Sequence, residues 1–320
     1  MSRLALILAT LVVALFLCPG SARAQTCSAT ISTVDFGSPS LLTSAAVDVT
    51  ATLTVTCTNI PLLSVVKMCP SIAAGSGGAD GSARLLAGTS GTLRYQLYQD
   101  AARTQAWGAV DHTALGTVPA IILSPVLAGS ATATRTLYAR LFGGQTAVVP
   151  GSYRSTFSGN ATLFSYSPAL VGANASCTGF VGNTTIRPTF DVIATPAKTC
   201  TIGAAALTFP NTGILSRAVT AESRIAVTCT GQTSYAVQLD AGHNADAGGT
   251  RRMRAAAGGL ISYGLFRDAG RTLPWASGAQ AASGLGTGAS QSITVYGRVP
   301  IQQTPQPGTY SDTVVATITY

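Results

Sequence analysis

The sequence is short of almost everything that catalysis draws on. Glu222 is its only glutamate, so paired-carboxylate acid–base chemistry would have to rest on aspartates scattered through turns. His112 and His243 are its only histidines, and neither their separation nor their surroundings give the spacing of a metal-binding pair. Gly75-Ser-Gly-Gly78 and Gly284-Leu-Gly-Thr-Gly288 lack the following lysine and helix of a phosphate cradle. Charged residues make up only 9% of the chain, and the basic ones are dispersed apart from Arg251-Arg-Met-Arg254. A nucleic-acid surface would show a basic stripe interleaved with aromatics, so no nucleic-acid partner is expected. The arginine cluster reads as a solvated loop, with a phosphate site as the alternative. No enzyme activity, metal or cofactor is expected.

Long apolar runs are also missing beyond the first residues. The run from Leu4 to Leu17 follows Arg3 and leads to small residues at Ala22 and Ala24, the pattern of a secretory signal peptide over 1–24. A membrane anchor is the alternative, but the run falls short of the roughly 20 residues that a span needs. Cleavage before Gln25 removes Arg3 and Arg23, taking the net charge from +8 to +6. It also removes Cys18 and leaves six cysteines, an even number that in an exported chain favours disulfides over metal ligands.

What is present is a repeat. YQLYQDAARTQAW at 95–107 returns as YGLFRDAGRTLPW at 263–275, with seven of thirteen positions identical at an offset of 168. Cys27 and Cys57, 30 apart, match Cys200 and Cys229, 29 apart. Tyr138-Ala-Arg140 matches Tyr296-Gly-Arg298, and Gly151-Ser-Tyr153 matches Gly308-Thr-Tyr310. The unit is the size of a domain rather than of a solenoid repeat. We therefore expect two domains, 25–196 and 197–320. Six cysteines allow fifteen pairings. The repeat singles out Cys27–Cys57 with Cys200–Cys229, which leaves Cys69 for Cys177. Closing the two repeated loops, of 29 and 30 residues, would contribute ~3 kcal/mol each.

Strand signals dominate. Along 47–57, Val47, Val49, Ala51, Leu53, Val55 and Cys57 alternate with Asp48 and threonines, the period of a strand with one buried face. Short strands between turns at this density give an all-β chain with a β-sandwich in each half. Asp100 with Arg103 and Asp268 with Arg271 read as turn-stabilising ion pairs, or as binding pairs. The last eleven residues, 310–320, read as one strand with Val314, Ala316, Ile318 and Tyr320 on one face, and the second domain has nothing after it. The first domain has a further alternating stretch in Ile186, Pro188, Phe190, Val192 and Ala194. A sandwich without its last strand exposes core and backbone edge, an acceptor for a strand from elsewhere.

These residues resemble the spore coat protein U family, subunits of archaic (Csu-type) chaperone–usher pili. The second unit carries the resemblance through Cys200, Phe209, Val227-Thr-Cys229, Arg252-Met253, Tyr263-Gly-Leu-Phe-Arg-Asp268, Trp275, Val295-Tyr-Gly-Arg298 and Gly308-Thr-Tyr-Ser-Asp-Thr313. The first unit matches more loosely, through Cys27, Asp35-Phe-Gly37, Cys57, the 95–107 block and Tyr138-Ala-Arg140. The resemblance implies immunoglobulin-like domains, the C-terminal one incomplete and lacking its last strand. It implies completion first by a periplasmic pilus chaperone at an outer-membrane usher, then by the donor strand of a neighbouring pilin subunit. The expected acceptor edge is Val314, Ala316, Ile318 and Tyr320. With only Gln25 and Thr26 ahead of Cys27 after cleavage, the chain would have no donor segment of its own, which fits a pilus-tip adhesin. A structural pilus or spore-coat-like subunit is the alternative.

The surface contacted would be abiotic or that of a host. Between Trp and the next Tyr the first unit has 30 residues and the second 20, and the excess lies near 118–127. That stretch, with Val118, Ile121, Ile122, Leu123, Val126 and Leu127, is broken by two prolines and reads as an apolar binding loop, or else as a buried edge strand. Leu170 and Val171, and the Ile60-Pro-Leu-Leu63 segment, are further candidates for such loops.

Overall fold

The computed structural model describes residues 24–125, 129–172, 174 and 176–320. The proposed signal peptide, apart from Ala24, lies outside them, as do Val126 and Leu127. Two β-sheet units follow one another along the chain. Among the described residues, no sheet and no core cluster is shared between those up to Ala194 and those from Cys200 onward.

In the first unit a nine-stranded sheet runs in the order 26–31, 47–60, 129–141, 91–98, 83–88, 153–157, 190–194 and 34–35, with 79–80 beside 83–88. It faces a four-stranded sheet ordered 184–186, 162–170, 64–72 and 121–123. The long strand Val47–Ile60 buries Ala51, Leu53, Val55 and Cys57 and turns its threonines outward, as its alternation dictates. Phe157, Phe164, Leu93 and Val192 fill the space between the sheets.

The second unit repeats the plan with shorter strands. Cys200–Ala204, Val219–Cys229, Ser290–Val299 and Gly264–Phe266 form one sheet, and two three-stranded sheets complete it. Disulfides join Cys27 to Cys57, Cys69 to Cys177 and Cys200 to Cys229. The first and third link register partners on neighbouring strands, whereas the second ties the 171–183 loop to strand Ser64–Ile72.

The repeated block owes its persistence to three matched devices. Trp107 and Trp275 are fully buried and donate their indole N–H to Pro70 O and Val237 O at 2.8 and 2.9 Å. Arg84 donates to Ala73 O, Ile72 O and Trp107 O, and Arg251 donates to Asp240 O, Leu239 O and Trp275 O. The basic cluster is therefore no solvated loop. Arg252–Ala255 is a strand, and Arg251, directly before it, clamps three carbonyls that would otherwise be orphaned.

The third device corrects the expected ion pairs. Asp100 accepts the amides of Thr104 and Gln105 and the Thr104 hydroxyl, and Asp268 accepts the same three from Thr272 and Leu273. Arg103 instead reaches Asp48 at 3.2 Å, and Arg271 reaches Glu222 at 3.6 Å. A tight turn leaves its own amides unpaired, and a short carboxylate satisfies them better than it could satisfy a long arginine.

These bonds hold both carboxyls below the usual range, the Gln105 and Leu273 amides contributing most. A folded pKa below the unfolded one gives stability that is present above the unfolded value and lost as pH falls through the folded one. Thermal melts from pH 7 down to 2 should therefore show stability dropping below about pH 4, near the unfolded carboxyl value. The double variant Asp100→Asn, Asp268→Asn should melt lower at pH 7 and show a flatter acid limb. An unchanged acid limb would assign the drop to other carboxylates.

Candidate functional site

Among the described residues, two places gather apolar or hydrogen-bonding groups without partners, one in each unit. The first is an end of the first unit. Strand Val47–Ile60 turns through Pro61, Leu62 and Leu63 into Ser64–Ile72, closed by a Ser64 N–H to Pro61 O bond of 3.2 Å. Leu62 is 66% exposed and Leu63 78%. Leu63 also holds φ of +61°, a left-handed conformation that suits glycine or asparagine and strains a leucine. Leu170 is the register partner of Ser64, so the next loop, with Leu170 at 78% and Val171 at 71% exposure, stands beside the first.

The 118–127 stretch divides. Strand Ile121–Leu123 pairs with 66–68, and Ile121 and Leu123 are buried at 1% and 2% exposure, so these two are core residues and not part of a surface loop. Val118 and Ile122 are half-buried. The physical reason is positional: Pro119 and Pro125 flank a three-residue edge strand, where a missing N–H breaks no ladder bond. Val181, 88% exposed, belongs to the nearby 171–183 loop, where Lys67 lies over the Phe180 ring. A single valine between Phe180 and Gly182 left no pattern by which sequence reading could find it.

Four exposed aliphatic side chains thus stand at one end of the paired strands 64–72 and 162–170. Patches of this kind mark interaction sites in folded proteins. His112 and His243 are exposed, one in each unit. Among the described residues, no group of three or more His, Cys, Asp and Glu is placed to hold a metal ion.

The second place is an edge of the second unit. In the first unit Phe190–Ala194 pairs antiparallel with Tyr153–Phe157 and parallel with Val34–Asp35, closing the sheet. In the second, residues 310–311 pair with 254–255, and among the described residues no strand lies along their other side. The stretch 310–320 is also not one strand. Tyr310–Ser311 and Ala316–Thr319 belong to different sheets, because the chain crosses between the layers at 312–315, as it does between Phe157 and Thr162 in the first unit.

The missing strand shows in the burial. Val34, Phe36, Tyr153 and Phe157 are buried, whereas Leu207, Phe209, Tyr310 and Val314 at the matching positions are half-buried. Ala316 and Ile318 are half-buried too, and Tyr320 is exposed. Asp312 accepts the Tyr263 hydroxyl at 2.7 Å and both the backbone and side-chain N–H of Asn244. Burial, then the bond to Asp312, raises the Tyr263 hydroxyl pKa.

A model of the Spore Coat Protein U domain matches residues 10–160 and again 186–317. The chain belongs to the Spore Coat Protein U domain family. The first match lies mostly within the first β-unit and the second begins at 186, just before that unit's strand Phe190–Ala194, and spans the second unit, so the chain carries two Spore Coat Protein U matches in tandem. "Protein U" of Myxococcus xanthus is 40% identical over 105 residues, which span 30% of this chain and 58% of that protein's length. Among solved structures, a chain of the CsuC–CsuE chaperone–tip adhesion subunit pre-assembly complex, from archaic chaperone–usher Csu pili of Acinetobacter baumannii, is 18% identical. It covers 92% of this chain and 100% of its own, with a TM-score of 0.54. That likeness establishes an immunoglobulin-like fold for this Spore Coat Protein U chain.

Proposed function

We propose that this protein is the adhesive tip subunit of an archaic chaperone–usher pilus. The observation that carries the proposal is the asymmetry between two copies of one fold. The first, taken as a domain over 25–196, completes its own sheet with Phe190–Ala194, and the second, over 197–320, leaves the matching edge bare. A bare edge over a half-buried core is what a donated strand closes. A periplasmic chaperone would cover it first, and a neighbouring pilin would replace the chaperone at the outer-membrane usher.

The placement of the apolar loops fits the same role. Strand Phe190–Ala194 runs from beside Phe157 to beside Tyr153, so the chain leaves the first unit at the end remote from Leu62 and Leu170. The backbone of Thr146 and Ala147, at that departing end, lies against Gly288 and Gly231 of the second unit. A fibre joined through the second unit thus presents the apolar loops outward, to an abiotic or host surface, as attachment and biofilm formation require. Immunogold labelling of intact pili with antibody to the first unit tests this reading. Label confined to fibre ends is expected; label along the shafts would make the protein a structural subunit.

A further inference from the structure

The first unit contains a worked copy of the strand that the second unit lacks, and the two acceptor edges can be aligned residue by residue. Tyr153 and Tyr310 correspond, which places Arg154 with Ser311, Ser155 with Asp312 and Phe157 with Val314. Glycines support the alignment: a Cβ on Gly75 would lie 2.6 Å from Ser155 Oγ, and one on Gly242 would lie 2.1 Å from Asp312 Oδ2. Both glycines hold positive φ, +72° and +77°, so the same cradle surrounds both side chains.

In the first unit the register is Phe190 with Phe157, Val192 with Ser155 and Ala194 with Tyr153. Directly opposed residues of an antiparallel pair point to one face. Phe190 stacks on Phe157 at 4.4 Å between centroids, Val192 is fully buried beside Ser155, and Ala194 leaves room for the Tyr153 ring. In the second unit Val314 is smaller than Phe157, which keeps space for a large partner, and Tyr310 again requires a small one.

The middle position differs. Asp312 accepts from Tyr263 and twice from Asn244, three of the roughly four bonds that a carboxylate accepts. An incoming strand buries it, and an aliphatic residue opposite would leave the remaining lone pair without a donor.

We propose that the strand completing the second unit runs antiparallel to residues 310–314 and carries three alternating inward residues: a large apolar one opposite Val314, a hydroxyl-bearing one, threonine or serine, opposite Asp312, and a small one opposite Tyr310. This rests on the second unit being a strand acceptor and adds the register and the side chains that it selects. Asp312 is then the specificity-determining residue of the edge, turning an aliphatic position into a polar one.

The test uses the full chain and three synthetic peptides. The first is TTIRPTFDVIAT, residues 184–195 of this chain; the second carries Val192→Thr; the third has the Phe, Thr and Ala of the second moved one position along. Binding is read by fluorescence anisotropy, and the site by amide exchange at 311–314, which separates the second unit from exchange into the first. The threonine peptide should protect those amides and bind about fivefold tighter than the valine peptide, the effect of about one added hydrogen bond. The shifted peptide should do neither. In an Asp312→Ser chain the preference should revert to valine. Equal binding of all three peptides with protection intact would overturn the proposed pattern and leave the acceptor reading standing. Absence of protection with every peptide would overturn both.

Discussion

Replacing Leu62, Leu63, Leu170 and Val171 together by serine should abolish attachment to a hydrophobic surface while leaving the melting temperature within a few degrees. All four side chains are mostly exposed, so the fold loses little of its buried area. The contact, by contrast, loses four aliphatic groups, each worth about 1.5–3 kcal/mol when fully buried. Retention of protein-coated beads on polystyrene under flow, beside thermal melts of the same preparations, reads both quantities. Leu63→Gly sharpens the distinction. A glycine relieves the left-handed strain at φ +61° and should raise stability by about 1 kcal/mol, while it weakens attachment. A variant that became less stable and kept full adhesion would remove this turn from the binding surface.

Arg84→Met should strongly destabilise the first unit without touching the second. The guanidinium is fully buried, its pKa is pushed down to about 10 by that burial, and among the described residues it has no carboxylate partner. Carbonyls of Ala73, Ile72 and Trp107 and the side chain of Gln96 hold it instead. Methionine fills the volume but leaves those acceptors unpaired, at a cost of about 1–3 kcal/mol for each left without a donor. One tryptophan sits at the same place in each core, so Trp275→Phe leaves Trp107 as a reporter of the first unit alone, and Trp107→Phe does the reverse. Urea titration should move only the Trp107 transition in Arg84→Met and only the Trp275 transition in Arg251→Met. Transitions that shifted together would mean the two cores unfold as one.

Much of the architecture is legible in the chain itself. Alternation marks the strands, because a half-buried sheet imposes period two on every strand that it contains. The 168-residue repeat marks two units and singles out one cysteine pairing, because a duplicated fold duplicates its short-range constraints. The tandem Tyr, Asp, Arg and Trp landmarks are visible too, but their chemistry is not. Asp100 beside Arg103 in sequence suggests an ion pair, and only the turn geometry shows that backbone amides take the carboxylate.

Tertiary structure decided the sites. Whether Ile121 and Leu123 face solvent or core depends on strand 64–72 lying beside them, a partner about 55 residues away that no local pattern names. Leu62 and Leu170 are separated by more than a hundred residues, and only the register of 64–72 against 162–170 brings them to one end. The bare edge proposed as an acceptor likewise begins earlier than alternation suggested. Asp312 and Tyr310 belong to it because the chain changes sheets between 311 and 316, and hydrophobic period alone could not report that crossing. Sequence determined which faces of this chain must be buried, since burial is written residue by residue. Which faces found a cover, and which were left open, was decided by long-range pairing.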